Sequence, residues 1–590
     1  MNNLEIAKLL RSVAAAYQVN PATSSEPTSH FRIVAYQNAA DAIEHLTSEV
    51  KDLWDDDKLR EIPGVGNTIA DYLDELFKTG KIKHFEEIMH DLPPAMFELM
   101  DVPGIGAKRA LRLSRELGIT RAHGALEKLI HAAEHGHIRN LEGFGEQLEK
   151  EILLSVKTVK ERSKRLLLPF ATIVAEEVVE YMQKHPGVEK IETLGSLRRR
   201  TATVGDIDIA VATNKPKEVI EHFAAYPKKN KLIEKGDSTS SLLLPGGVQV
   251  DLMVQPAQYF GALLQHFTGS KHHNIALRTY ALKKKLSLSE RGIKSGGRIE
   301  YFENEEAFYK RLGMDWIPPE LRENDGEIEL ALLHQLPKLV ELEDIKGDLH
   351  MHSNFPQETS HDAGTNQMED YANMAVGLNY EYIGFTEHNL KSSTSEAKVL
   401  DVLKQKQELA EKLNLKLKIE NLKLCIFNGL EIDITPSGKL ALPENAFTTL
   451  DYAIVSLHSS FRGTKADQTK RVLEGLAHPK VRIFGHPTGR KLNNREGVEL
   501  DWDKIFDYAL KHNKWIEINS SPDRLDLPDT LARQAVKLGV KLIVDTDSHE
   551  ISWLSGMRYG ISVARRGWAE KKDVVNTLSL QEFEKILHST

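Results

Sequence analysis

Asp348-Leu349-His350-Met351-His352 opens a series of short apolar runs at Tyr382–Phe385, Cys425–Leu430, Tyr452–Leu457, Val481–Phe484, Trp515–Ile518 and Leu542–Val544. Helical stretches separate the runs, and that alternation predicts βα units in a parallel sheet or barrel. Residues two apart on a strand share a face, so His350 and His352 point the same way. Further ligand-type residues stand at or just past the ends of successive strands: His388, Glu431, His458, His486, Asp547 and His549. Asp362 lies in the loop after the first strand. In a βα barrel these ends meet on one rim, where sites are built. A lone histidine is usually structural, but nine ligand types repeated at one strand end are not.

Nine donors are too many for one ion and suit three, with one carboxylate bridging. Mixed imidazole and carboxylate ligation favours Mn²⁺, Zn²⁺ or Fe²⁺ over Mg²⁺ or Ca²⁺. Clustered cations make hydroxide from water at neutral pH and neutralise a phosphate under attack. The single cysteine, Cys425, excludes a disulfide framework and a multi-cysteine zinc site, which fits a reducing, cytoplasmic setting.

Upstream, Glu320–Asp344 is mostly acidic and polar with one helical stretch, and reads as a connector. From Leu166 to Ile317 the pattern is α+β, with candidate strands Ile191–Leu194, Ile207–Ala212 and Val248–Val254 and helices such as Phe170–His185 and Ala276–Lys285. Gly205-Asp206-Ile207-Asp208-Ile209 sets two acids on one strand face, and Asp251 sits in another apolar strand, where an unpaired acid is costly. Three acids on adjacent strands fit two Mg²⁺ ions, the arrangement that stabilises attacking and leaving oxygens in phosphoryl transfer. Just before them comes Gly195-Ser196-Leu197-Arg198-Arg199. Glycine lets a triphosphate approach the backbone, serine donates, and arginine meets charge on a leaving pyrophosphate.

The first 155 or so residues read as short helices joined by tight turns. Ile62-Pro63-Gly64-Val65-Gly66, Val102-Pro103-Gly104-Ile105-Gly106 and Leu141-Glu142-Gly143-Phe144-Gly145 repeat one pattern in three places, each between two helices. Such glycines free the backbone, and the next helix offers unpaired N–H groups to a phosphate without reading bases. At 590 residues, 41% hydrophobic and 28% charged, the chain is long enough for three to five domains and unlike a disordered one. The net charge of −9 excludes a uniformly basic surface. It leaves room for local patches at Lys157–Arg165, Arg198–Arg200 and Lys283–Lys285. The N-terminus reads as an amphipathic helix and no run matches a membrane span, so no membrane partner is expected.

These residues carry two resemblances. The repeated glycine turns resemble helix-hairpin-helix motifs, and the chain from its N-terminus to about Arg322 resembles the family X DNA polymerases, which include polymerase beta. By that likeness Asp206 and Asp208 bridge two Mg²⁺ ions and Asp251 lies nearest the primer hydroxyl. Gly195, Ser196 and Arg199 bind nucleotide. His266, Phe267 and Gly269 line its sugar, Asn274 its base, and Arg278 touches template. Gly64, Gly66, Gly104, Gly106, Gly143 and Gly145 bind DNA backbone.

From Lys346 to about Gly567 the chain resembles the PHP (polymerase and histidinol phosphatase) domain. The likeness implies one metal on His350, His352, Glu431 and Asp547, a second on Glu431, His458 and His486, and a third on Asp362, His388 and His549. Asp348 would orient these ligands from behind. The order of parts is that of bacterial family X polymerases. It implies a DNA-directed polymerase filling repair gaps from deoxynucleoside triphosphates, with a Mn²⁺-stimulated 3′→5′ exonuclease and room for cleavage at abasic sites. A monomer is expected.

The implied fold is multidomain. Residues 1–90 and 91–165 form helical segments with helix-hairpin-helix motifs, 166–260 an α+β nucleotidyltransferase palm and 261–320 a thumb. Residues 321–345 form an acidic linker and 346–590 a distorted (β/α)7 PHP barrel. Two departures stand out. Tyr72 and Thr68 occupy positions where polymerase beta has lysines, so no Schiff-base lyase is expected over residues 1–90. Lys271 replaces an acid near the nucleotide base, which predicts altered nucleotide affinity with retained chemistry. The competing readings are a PHP phosphoesterase acting on a small phosphate monoester, and a DNA-bridging scaffold with vestigial acids.

Overall fold

The computed structural model describes residues 3–20, 29–44, 50, 54, 59–62, 64–102, 104–122, 124–163 and 165–588. They fall into two compact units, Met1–Lys164 and Arg165–Thr590. No helix among the described residues is long and apolar enough to cross a membrane. The turn residues Pro63 and Pro103, and the side chains of the basic residues Lys157, Lys160, Arg162 and Lys164, lie outside the described residues.

The first unit is helical, and its three glycine turns share one geometry. Val65, Ile105 and Phe144 each donate a backbone bond of 3.0 Å to the residue three before, respectively Ile62, Val102 and Leu141. The same three apolar residues are buried and anchor the turns to the core. The first glycine of each turn, Gly64, Gly104 or Gly143, has φ between +76° and +88°, which only glycine adopts without strain. The second precedes a helix: Asn67–Thr79 after Gly66, Ala107–Glu116 after Gly106, and Glu146–Ser163 after Gly145.

In the second unit, β1 (Leu166–Leu167) pairs with β3 (Thr203–Val204). A five-stranded palm sheet has the order β2 (Lys190–Thr193), β4 (Ile207–Ala212), β7 (Gln249–Gln255), β6 (Thr239–Leu243), β5 (Lys231–Lys235). Strands β4 and β7 run parallel, with Asp208 directly opposite Asp251. One face packs on helices Leu168–Gln183 and Pro216–Ala224 through Ala175, Val178, Val219 and Phe223, all fully or almost fully buried. The thumb follows, with helices Phe260–Thr268, Lys271–Lys283 and Glu305–Leu312 around the meander β8 (Leu286–Ser289), β9 (Gly292–Ser295), β10 (Arg298–Glu300).

Residues 321–345, expected as a connector, join the thumb core instead. Leu321, Ile328, Ala331 and Leu339 pack with Leu277, Phe308 and Leu312. The segment's charges are used inside: the fully buried Arg322 lies 2.6 Å from Glu305, and the fully buried Glu327 lies 2.6 Å from His273. A buried charge is tolerated only when paired, and here each has its partner.

The rest is a closed barrel of parallel strands. β11 (Gly347–Met351), β12 (Tyr382–Phe385) and β13 (Cys425–Asn428) pair in that order. β14 (Glu431–Asp433), β15 (Ala453–Ser456), β16 (Val481–Phe484), β17 (Trp515–Asn519) and β18 (Leu542–Asp545) form the second run. β13 and β14 are one chain interrupted at Gly429 and Leu430. Bridges His388–Glu431 and Met351–Ser548 close the two runs into seven strand positions. Leu349, Tyr382, Ile483, Trp515 and Ile543 fill the interior, and Phe583 and Leu587 of the C-terminal helix pack with them.

Candidate functional site

Two clusters of ligand-type side chains form in the second unit. In the palm, Asp206 just before β4, Asp208 on β4 and Asp251 on β7 bring carboxylate oxygens within 4.8 Å of one another. The parallel register explains this, since paired positions on neighbouring strands share a face. Burial, with Asp206 and Asp251 alongside, pushes the Asp208 carboxyl up to about 7. Burial and Asp251 raise Asp206 as well. Three mutually repelling acids on one edge are the donor set of a hard divalent cation.

Beside them lies the short helix Gly195–Arg198. Gly195 has φ +56°, and a Cβ there would meet Asp208 Oδ2 at 2.6 Å, so only glycine fits between strand and ligand space. Ser196 is half-buried, and its carbonyl accepts from Thr201 N–H. Arg199 donates from Nη1 to the Thr268 carbonyl (2.5 Å) and from Nε to Glu323 (3.1 Å). Arg198 pairs with Glu305 at 2.7 Å. Both side chains are therefore inward and paired, not part of the surface patch expected at Arg198–Arg200. The reason is that Glu305 and Glu323, remote in sequence, fold against them.

On the thumb side, the rings of His266 and Phe267 stand 4.7 Å apart. Asn274 donates to the His266 carbonyl (2.7 Å) and Arg278 to His266 Nδ1 (3.2 Å), so these three expected nucleotide and template contacts form one linked row. Gly269 has φ +67° and lies against Arg199, while Lys271 is exposed. In the first unit Tyr72 stacks on His84 with ring centroids 5.2 Å apart.

The barrel gathers all nine predicted ligands. His350 and His352 Nε2 lie 3.5 and 3.2 Å from Asp547 Oδ1, and 3.3 and 3.5 Å from Glu431 Oε2. The other Glu431 oxygen faces His458 (3.3 Å) and His486 (2.9 Å). Asp362 reaches His388 at 3.4 Å and His549 at 3.6 Å, although its loop leaves it exposed. His486 and Asp547 have positive φ, +26° and +53°, a strained backbone that aims both side chains into the rim.

The charges interlock. Burial opposes it, yet His388, His458 and His350, in that order of strength, hold Glu431 well below the usual carboxylate range. Burial likewise works against a charged His388, but Glu431 and Asp362 hold it up at about 10. Burial with Arg524 pushes His486 down to about 4. His350 Nε2, His352 Nε2, His388 Nδ1, Glu431 Oε2 and His549 Nε2 are buried and make no hydrogen bond. Buried polar atoms ordinarily find partners, so inward-facing orphans in a mixed imidazole–carboxylate set fit divalent metal ions.

Asp348 lies fully buried behind the ligands and acts on them through the backbone: it accepts from His350 N–H (3.3 Å), Thr546 N–H (3.2 Å) and Thr546 Oγ1 (2.5 Å). The group that holds the His350 ring itself is Glu517. It holds His350 Nδ1 at 2.5 Å and accepts the His486 backbone N–H through its other oxygen. Asp433 does the same for His458 Nδ1 at 2.6 Å. Both were legible by the rule that picked out Asp251: Glu517 is an acid inside an apolar strand, and Asp433 stands two residues after Glu431. The site opens into a cleft of about 480 Å³ whose wall adds Phe461, Lys491, Arg495, Arg524 and Trp553.

Comparison with known proteins agrees with this division. Residues 1–82 match the helix-hairpin-helix domain, 96–158 the SAM-like helix-hairpin-helix tandem, 263–323 the DNA polymerase beta thumb and 348–521 the PHP domain. The DNA polymerase/3′-5′ exonuclease PolX of Bacillus subtilis is 32% identical over 100% of this chain and 99% of its own. The chain belongs to the bacterial PolX family. Rat DNA polymerase lambda is 23% identical over 54% of this chain and 56% of its own. A probable phosphatase of Clostridium acetobutylicum is 36% identical over only 21% of this chain and 53% of its own. Full-length likeness to a PolX protein favours the polymerase reading over a phosphatase acting alone.

Proposed function

We propose that this PolX-family chain fills short gaps in DNA during repair, adding deoxynucleotides at its palm and removing 3′ nucleotides at its barrel. The observation that carries the reading is the meeting of Asp206, Asp208 and Asp251 at the starts of β4 and β7 beside the Gly195 cradle. Two Mg²⁺ ions on these acids would make the primer hydroxyl a better nucleophile and neutralise the departing pyrophosphate. The residues do the rest. The Gly195 backbone and Ser196 hydroxyl receive the triphosphate, and Arg199 meets its charge. The linked row of His266, Asn274 and Arg278 presents one edge to the nucleotide and template, with Phe267 against the sugar.

Duplex grip falls to the glycine turns. A Cβ at Gly66, Gly106 or Gly145 would meet nothing within 4 Å, and Gly66 and Gly106 have ordinary negative φ. Neither strain nor internal crowding demands glycine there, so the bareness serves an outside partner, the DNA backbone at the helix N-termini.

In the barrel, three Mn²⁺ or Zn²⁺ ions on the nine ligands would supply hydroxide and neutralise the scissile phosphodiester. Lys491, Arg495 and Arg524 line the cleft as phosphate partners, and Phe461 and Trp553 give aromatic faces for a terminal base. The same site would cleave at abasic lesions, offsetting the missing lyase lysine. The chain would act as a monomer in the cytoplasm.

Primer extension and degradation on gapped DNA, with Mg²⁺ or Mn²⁺, test both sites. Asp206→Ala/Asp208→Ala is expected to lose extension by at least about a thousandfold and keep degradation, and His350→Ala/His352→Ala the reverse. One variant losing both activities would defeat the two-site reading.

A further inference from the structure

The barrel helix Met557–Arg566 ends in two arginines that reach into the polymerase part. Arg566 Nη1 donates to the Arg199 carbonyl (2.9 Å) and to Glu323 Oε1 (3.0 Å), and its Nε donates to Asp529 at 2.6 Å. Arg565 turns elsewhere, to Glu320 at 2.8 Å and Glu341 at 2.6 Å. Two guanidinium groups thus share one oxygen of Glu323, since Arg199 Nε is 3.1 Å from the same atom. The Arg199 carbonyl is also the last before Arg200, which sits at φ +56°.

We infer that Arg566, a barrel residue, is a positioning residue for nucleotide addition: it anchors the Arg199 backbone and keeps Glu323 paired when Arg199 leaves it for an incoming triphosphate. The inference rests on the reading of Arg199 as the phosphate-binding arginine. A carboxylate that lost its sole partner would hold that partner back, because Glu323 is 28% exposed and water replaces the lost ion pair only in part. With Arg566 present, Glu323 loses one of two partners and Arg199 is released at small cost. Without Arg566, Glu323 competes with the triphosphate for Arg199, and the left-handed turn at Arg200 loses its anchor.

The test is steady-state extension on gapped DNA by the full chain. Arg566→Ala is expected to raise the deoxynucleotide KM about tenfold with kcat changed less than about twofold. Adding Glu323→Gln should bring KM back to within about threefold of the parent, an outcome that a merely structural role would not produce. Arg565→Ala, from the same helix and interface, should leave KM unchanged. Should Arg566→Ala fail to fold, Arg566→Lys serves, since an ammonium cannot make all three contacts and should give an intermediate KM.

An unchanged KM in a folded Arg566 variant, a rise that Glu323→Gln does not reverse, or an equal rise in Arg565→Ala would overturn the inference. Arg199→Ala separates the two layers. If that change alone left KM untouched, the reading of Arg199 itself would fall, and this inference with it.

Discussion

The palm gathers three carboxylates at the starts of the neighbouring strands β4 and β7, whereas the barrel interleaves three carboxylates with six imidazoles. Burial first, and the like charges beside it, push Asp206 and Asp208 upward, so a divalent cation there relieves repulsion already present. In the barrel, Glu431 and Asp362 hold His388 in its charged form, and an arriving ion must displace that proton. The first site should therefore take up its cation without giving up many protons above neutral pH. The second trades protons for metal and should hold its ions hard once loaded.

The largest expected difference is in pH dependence. Because neighbouring carboxylates hold His388 up at about 10, it is protonated throughout pH 6–8 and must lose that proton to bind metal. Mn²⁺ affinity of the barrel should therefore fall about tenfold for each pH unit lost over this range. Asp208 titrates near 7, so Mg²⁺ affinity of the palm should be level above pH 8 and decline only below 7. Calorimetric titration of wild type and of His350→Ala/His352→Ala separates the two, and equal slopes would erase the contrast.

Next comes Glu517→Gln, which keeps shape but removes the charge behind His350. Second-sphere partners of this kind are typically worth about 10- to 100-fold in metal affinity. The same loss is expected here in Mn²⁺ binding, with extension on gapped DNA unaffected. Were affinity unchanged, orientation of His350 would have to come from its packing alone.

A smaller effect probes the burial and repulsion that raise Asp208 in the palm. A carboxyl whose folded pKa is raised weakens the fold as pH climbs through and above its unfolded value, because ionisation is then disfavoured only in the folded state. In chelator, Asp208→Asn should raise Tm by a few degrees at pH 8 and by nothing near pH 3, where both states are protonated. A lowered Tm at pH 8 would mean that the acids do not repel.

The smallest test falls on the glycine turns. Gly104→Ala places alanine at φ +88° and should lower stability by about 1 kcal/mol. Gly106→Ala meets open space at ordinary φ and should leave stability alone while weakening duplex affinity about threefold. A stable Gly106→Ala protein with full affinity would free that turn of any DNA role.

Much of this was legible from the residues alone. The strands Tyr382–Phe385 and Val481–Phe484 stand where their apolar runs place them, because β-branched and aromatic runs bounded by polar turns have few other uses. Eight of the nine residues that meet at the barrel rim were legible through their repeated position at or just past strand ends, and Asp362 through its place in the first loop. Residues 321–345 misled, because their acidity suggested solvent while Glu327 is paired with His273 inside. Arg198 and Arg199 misled in the opposite sense, as a charge run whose partners lie more than a hundred residues away.

The sequence alone therefore settles the kinds of donor, the period that puts Asp206 near Asp208 and His350 near His352, and the turns that leave helix N-termini bare. Those are local properties, set by alternation along a strand and by the backbone freedom of glycine. Tertiary structure alone decided that Glu517 holds the His350 ring while Asp348 holds its backbone, and that Arg566 of the barrel touches Arg199 of the palm. Such facts depend on distance and burial between residues far apart in the chain, and these exist only once the barrel has closed and the thumb has packed against it.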